Sequence, residues 1–153
     1  MKKLFIASLL AAVALPALAE TTVAEPWVRA TVPAQKATGA FMRLSSDADA
    51  RLVSASSPVA NVVEVHEMAV VDNVMKMRQV EAVELPAGDT VELKPGSFHI
   101  MLMDLKAQVK EGDEVPITLV IEGKDGEQET VSIVAPARPL NAPAGGMQMK
   151  HGQ

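Results

Sequence analysis

Two histidines and two methionines stand at spacings that could hold a soft metal ion: His66, Met77 and the triplet His99-Ile100-Met101. Side chains alternate faces along a β-strand. Over residues 98–105, Phe98, Ile100 and Leu102 point one way, toward a core, and His99, Met101 and Met103 point the other. That sets an imidazole and a thioether on one face, about 7 Å apart along the chain. Over residues 62–68, Val63 and Val65 suit the core, and Glu64, His66 and Met68 share the outer face. On the segment that returns, Met75 and Met77 share a face with Lys76 opposite. Thioethers are soft and neutral and select Cu(I) over Zn, Mg, Ca or Mn, and imidazole joins them readily. Two His and two Met carry no ligand charge and favour a +1 ion. They lack the thiolate of a blue-copper electron carrier. Such a set suits holding and handing over Cu(I), not turnover. Taken singly, each residue has a plainer reading. A strand methionine usually fills a core, and an exposed histidine is usually just solvated. Met42, beside Phe41, reads as core only. Met68, Met75 and Met103 stay open between supporting sulfur and plain surface.

The elements that position these groups read as strands and turns. Val23–Arg29, Gly39–Ser45, Arg51–Ser56, Val62–Val71, Val74–Val80, Thr90–Leu93, Phe98–Leu105, Val115–Glu122 and Gln128–Ala135 are rich in β-branched or alternating residues. Asp72-Asn73 is a turn signal, so residues 62–80 read as a β-hairpin. Pro86-Ala87-Gly88-Asp89, Pro95-Gly96, Lys110-Glu111-Gly112-Asp113 and Lys124-Asp125-Gly126 mark further turns. About nine strands, turn signals every eight to twelve residues and no convincing amphipathic helix predict an all-β sandwich or barrel. No internal repeat is visible. From Pro136 onward, Pro139, Pro143 and Gly145-Gly146 argue against a packed element, and residues 139–153 read as a flexible tail.

The first residues read as an export leader. Lys2 and Lys3 are followed by an uncharged apolar run from Leu4 to Leu15. Pro16 and then Ala17-Leu18-Ala19 complete a cleavage site before Glu20. The run is too short for a comfortable membrane span. The expectation is a cleaved signal peptide over residues 1–19 and a soluble domain over 20–138 in the periplasm or outside the cell. With Lys2 and Lys3 in the leader, the remainder is more acidic than the whole chain's net charge of −5. That disfavours nucleic acid, whose phosphates need a basic footprint, and stable association with an anionic membrane surface. There is no cysteine, which removes disulfides, thiol nucleophiles, thiolate metal sites and lipid attachment at an N-terminal Cys. Tyrosine is absent and aromatics are 3% of the chain, so stacking on sugars or bases is disfavoured.

His66, ten residues, Met77, twenty-one residues, then His99-x-Met101 resembles the H-x10-M-x21-H-x-M motif of the periplasmic copper(I) chaperones. Trp27-Val28-Arg29-Ala30-Thr31, His66-Glu67-Met68, Val74-Met75-Lys76-Met77-Arg78, Leu85-Pro86-Ala87-Gly88, Leu93-Lys94-Pro95-Gly96 and Gly112-Asp113-Glu114-Val115-Pro116 follow that family's order. The resemblance covers roughly residues 22–135. It implies a cupredoxin-like β-sandwich whose ligands gather near the surface at one side. It assigns Cu(I) ligation to His66, Met77, His99 and Met101. It also implies delivery of copper to an acceptor protein, such as the CuA centre of a cytochrome c oxidase subunit or another copper carrier, by a protein expected to be monomeric. Val70 stands where many relatives have another Met, and Asn73 where many have Gly; neither is one of the four ligands. Many relatives carry a Met- and His-containing tail, and Met147, Met149 and His151 are a thin version of it that could take a second copper.

Two other classes compete for the same sequence. A metal-free exported β-sandwich that binds a partner along an edge strand would explain the fold but not the ligand spacing. An enzyme is disfavoured, because neither G-x-S-x-G nor H-E-x-x-H occurs and there is no thiol nucleophile. Copper storage or resistance would use the same residues as delivery.

Overall fold

The computed structural model describes residues 20–139 and 141. The expected leader (1–19) and the tail residues Met147, Met149 and His151 lie outside them. Ten strands follow in chain order: β1 Thr21–Arg29, β2 Ala37–Ser46, β3 Ala50–Ser56, β4 Ala60–Val71, β5 Val74–Gln79, β6 Val83–Leu85, β7 Thr90–Leu93, β8 His99–Leu105, β9 Glu114–Gly123 and β10 Gln128–Arg138. Among the described residues there is no helix, so the all-β expectation holds. The count is ten rather than nine. The missed strand, β6, is only three residues long, too short for alternation to show, yet its Val83 and Leu85 are buried.

Hydrogen bonding links the strands in the order β5-β4-β8-β2-β1-β10-β9-β3-β6, with β7 on β2. The path has two halves. They meet where β1 runs parallel to β10 over just Val28↔Ala137 and Arg29↔Arg138. One apolar cluster joins the halves. It takes Val28, Met42, Leu44, Val65, Ile100 and Leu102 from one and Leu52, Val83, Leu85, Ile117, Leu119 and Ile121 from the other. The halves therefore face each other as a sandwich, and burying these side chains is the main force that holds them. In β9, Val115, Ile117, Leu119 and Ile121 are buried in alternation, the period of a strand with one face on a core.

Register decides what lies on the opposite, outer face of the first half. Val65↔Ile100 and Ala40↔Ile100 are core pairs, so His66↔His99, Glu64↔Met101 and Gly39↔Met101 point outward. A bulge in β1 matters here. Ala24 pairs with Arg43 and Trp27 with Phe41, so one extra residue sits between them. Glu25 takes a left-handed φ of 51° at that point. The extra residue puts Trp27 on the outer face with Phe41 instead of in the core, the re-aiming that bulges provide.

The hairpin expected at Asp72-Asn73 is present. Both residues have positive φ (52° and 61°), the signature of a tight two-residue turn whose twist suits the strands. Beyond the His66↔His99 pair, β4 pairs only with β5. The hairpin tip thus projects as a two-stranded ribbon.

Candidate metal centre

The outer face of β4, β5 and β8 carries the four residues singled out above. His66 and His99 are direct register partners, with ring centroids 6.0 Å apart. Both imidazoles are buried. Met77 stands opposite Met68 across the hairpin, and its sulfur lies 3.0 Å from His99 Nε2. Met101 is half-buried on the same face, opposite Glu64 and Gly39. Met77 thus touches His99, His99 adjoins His66, and register adds Met101.

His99 Nδ1 is 3.0 Å from the Ser97 carbonyl. A carbonyl only accepts, so Nδ1 carries the proton and donates it, and Nε2 is left with a lone pair. A thioether sulfur also offers lone pairs. His99 Nε2 and Met77 Sδ therefore converge as two electron-pair donors, the arrangement that a soft cation would bridge. Burial holds the His99 pKa below its ordinary value. The Ser97 carbonyl opposes that shift, and repulsion from a charged His66 adds to it. A lowered pKa keeps the ring neutral and able to ligate further into acid.

His66 is fixed differently. Its Nε2 lies 2.7 Å from Glu64 Oε2. The carboxylate accepts the Nε2 proton, which leaves the lone pair on Nδ1. That Nδ1 is buried and has no hydrogen-bond partner. A desolvated acceptor left unpaired costs about 1–3 kcal/mol, and a metal ion would remove that cost. A ring that gives one N–H to a carboxylate and turns the other nitrogen to a metal is a recurrent way of holding a histidine ligand.

The donor set is soft. Among the described residues no group of three or more His, Cys, Asp or Glu comes together; the donors that meet here are imidazole nitrogen and thioether sulfur. Met68 and Met103 are half-buried, and Met75 is exposed. All three lie on the same outer face as His66, Met77, His99 and Met101 by register. Met42 is buried in the core.

Two supports were not legible from composition or motif. Phe41 lies beside His99, with centroids 6.3 Å apart. Its ring needs Gly39 to be glycine, because a Cβ there would meet Phe41 Cζ at 2.8 Å. Alternation puts Gly39 and Phe41 on one face, which was the available signal. The Glu64–His66 contact likewise follows from their i, i+2 spacing, but only the structure brings the side chains together.

A family model described as “Putative lipoprotein LpqE-like” matches residues 21–136. The chain belongs to the LpqE-like family. Its LpqE-like domain is 34% identical over 134 residues to protein RP573 of Rickettsia prowazekii, covering 83% of this chain and 73% of that one. Among solved structures it resembles the apo PCuAC domain of PmoF1, with TM-score 0.63 and 25% identity over 78% of this chain and 93% of that one. It also resembles the apo PCuAC domain of PmoF2, with TM-score 0.60 and 26% identity over 80% and 92%. The PmoF2 domain is also known with copper bound. That form shares the fold at TM-score 0.58 and 22% identity, over 77% of this chain and 93% of that one.

Proposed function

We propose that this chain is an exported copper chaperone that holds Cu(I) on His66, Met77, His99 and Met101 and passes it on by ligand exchange. The observation that carries the reading is the meeting of two electron-pair donors, His99 Nε2 and Met77 Sδ, at 3.0 Å. The orphaned buried Nδ1 of His66 supports it. So does likeness to a PCuAC domain, that of PmoF2, which is known in a copper-bound form. Export is supported by the leader at residues 1–19 and by the family's description as lipoproteins. The chain has no Cys to carry a lipid, so we propose a soluble periplasmic form, cleaved after Ala19. The acceptor we propose is the CuA centre of a cytochrome c oxidase, or another carrier upstream of it.

The mechanism follows from where each ligand sits. His66, His99 and Met101 belong to strands paired on both sides, and the packed sheet holds them in place. Met77 belongs to β5, an edge strand whose residues are all exposed. An isolated two-stranded ribbon is marginal in water, so the ribbon can bend at small cost. Met77 is the ligand that leaves first. Its departure opens a coordination position for the acceptor's ligand, while both imidazoles keep their hold until the new bond forms. No covalent bond of substrate is made or broken, and copper stays +1 throughout.

The test is a competitive, anaerobic Cu(I) titration of residues 20–153 against a coloured chelator. It would be repeated on His99→Ala/Met101→Ala and on a chain truncated after Arg138. One copper bound tightly and lost in the double variant is the expected result. Loss only on truncation would move the site to the tail. No competition at all would overturn the reading.

A further inference from the structure

The same outer face carries a second cluster that the copper site does not use. Trp27 and Phe41 stack with centroids 4.6 Å apart. The Arg29 guanidinium lies 6.0 Å from the Trp27 ring centre and 5.6 Å from that of Phe41. The Arg138 guanidinium lies 5.2 Å from Trp27. The two arginines are register partners where β1 meets β10, so they stand side by side. Phe41 also adjoins His99, so the arginine pair is one aromatic ring away from the copper ligands.

Both guanidiniums border the Trp27 ring, and like charges on neighbouring strands repel unless a carboxylate offsets them. Here, among the described residues, neither Arg29 nor Arg138 has one; the ion pairs use Arg43, Arg51, His66, Arg78 and Lys94 instead. Arg29 Nε is buried and has no hydrogen-bond partner. The chain is acidic, with net charge −5. An unpaired cationic pair is therefore a local reversal of sign, held rigid by stacking on aromatic faces.

A copper-exchanging protein must lie over this face to reach His99 and Met77. It would then cover Arg29 and Arg138 and strip their water. Covering an unpaired guanidinium is costly unless the partner supplies an acceptor. We propose that Arg29 and Arg138 are a docking anchor for carboxylates on the protein that exchanges copper with this chain. The occupant is an acidic protein surface, chosen by charge complementarity. The inference rests on the copper-carrier reading, but its test need not use copper.

Trp27 is the only tryptophan and lies against both guanidiniums, so its fluorescence reports the anchor directly. The probes are two synthetic peptides with the same His and Met residues, one flanked by aspartates and the other by asparagines. Each is titrated into the apo protein at low salt. The aspartate peptide should shift Trp27 emission and bind about tenfold more tightly than the asparagine peptide. The advantage should vanish in Arg29→Gln/Arg138→Gln, and near 1 M salt, where screening is nearly complete. Arg29→Lys/Arg138→Lys should keep part of it, since charge remains but the planar fork is lost. Arg51→Gln, on β3 in the other half, should keep all of it. Melting curves check that each variant folds. Equal binding of the two peptides, or an undiminished advantage in the double Gln variant, would overturn the proposal. Citrate or inorganic phosphate binding more tightly than the aspartate peptide would also overturn it, in favour of a small-anion site. An aspartate advantage in a chain that fails the Cu(I) titration would support the anchor and sink the copper reading alone.

Discussion

Glu64 gives the sharpest test of the proposed copper site. Its carboxylate accepts a hydrogen bond from His66 Nε2–H at 2.7 Å and so leaves the free lone pair on buried Nδ1. Glu64→Gln keeps the shape but removes the charge. An amide can donate as well as accept, so the ring is no longer restricted to one tautomer. Loss of a group that orients a metal-bound histidine typically lowers affinity 10–100-fold, about 1.4–2.7 kcal/mol. The Glu64 side chain is 29% exposed, and water screens part of its charge, so the low end applies: about tenfold weaker Cu(I) binding, roughly 1.4 kcal/mol. Apo stability should change by less than about 1 kcal/mol. The assay is Cu(I) competition on wild type and variant, with the His66 tautomer read by long-range ¹H–¹⁵N correlation in the apo protein. Wild type should show the proton on Nε2. Equal or tighter copper binding by Glu64→Gln would refute the reasoning, for it would mean that copper binds Nε2 and competes with the carboxylate.

Three further outcomes are expected. Met77→Leu removes the sulfur and keeps the bulk at a residue 49% exposed, so melting should stay within about 0.5 kcal/mol of wild type. Its Cu(I) affinity should fall further than that of Glu64→Gln, and peroxide oxidation should do the same to wild type, because a sulfoxide is no longer a soft donor; unchanged affinity in either would remove Met77 from the ligand set. Gly39→Ala should cost about 1–3 kcal/mol of stability through the clash with Phe41, measured by denaturant unfolding, and should also alter Trp27 emission. The depressed His99 pKa has a definite sign: the group's contribution to apo stability is fully present above the ordinary value of 6.5 and is lost as pH falls through the lower folded value. Wild type should therefore lose stability in that window faster than His99→Gln, and parallel curves would show that the ring is not held neutral by the fold.

Much of the face pattern was legible because alternation is a local property. Ile100 and Leu102 against His99 and Met101, and Val65 against Glu64 and His66, could be read from period two alone and are found on those faces. The turn at Asp72-Asn73 was legible because those side chains tolerate left-handed backbone. What failed to show was non-local or too short. β6 offers three residues, fewer than a period can establish. The bulge that re-aims Trp27 inverts the simple alternation over Val23–Arg29, although Pro26 in mid-strand was the available sign. The pairing of Arg29 with Arg138 joins the two ends of the domain, and no pattern within either strand announces it.

That same seam sets the order of events in the life of the chain. β1 pairs along most of its length with β2, but its end, Val28-Arg29, is completed only by Ala137-Arg138 of the last strand. Contacts this distant in sequence slow folding, since a large loop must close before it is rewarded. A chain emerging N-terminus first cannot close this seam until Arg138 has arrived. His66, Met77, His99 and Met101 all lie inside the loop that the seam ties off. The closed seam is thus a property of the completed molecule and not of any growing fragment.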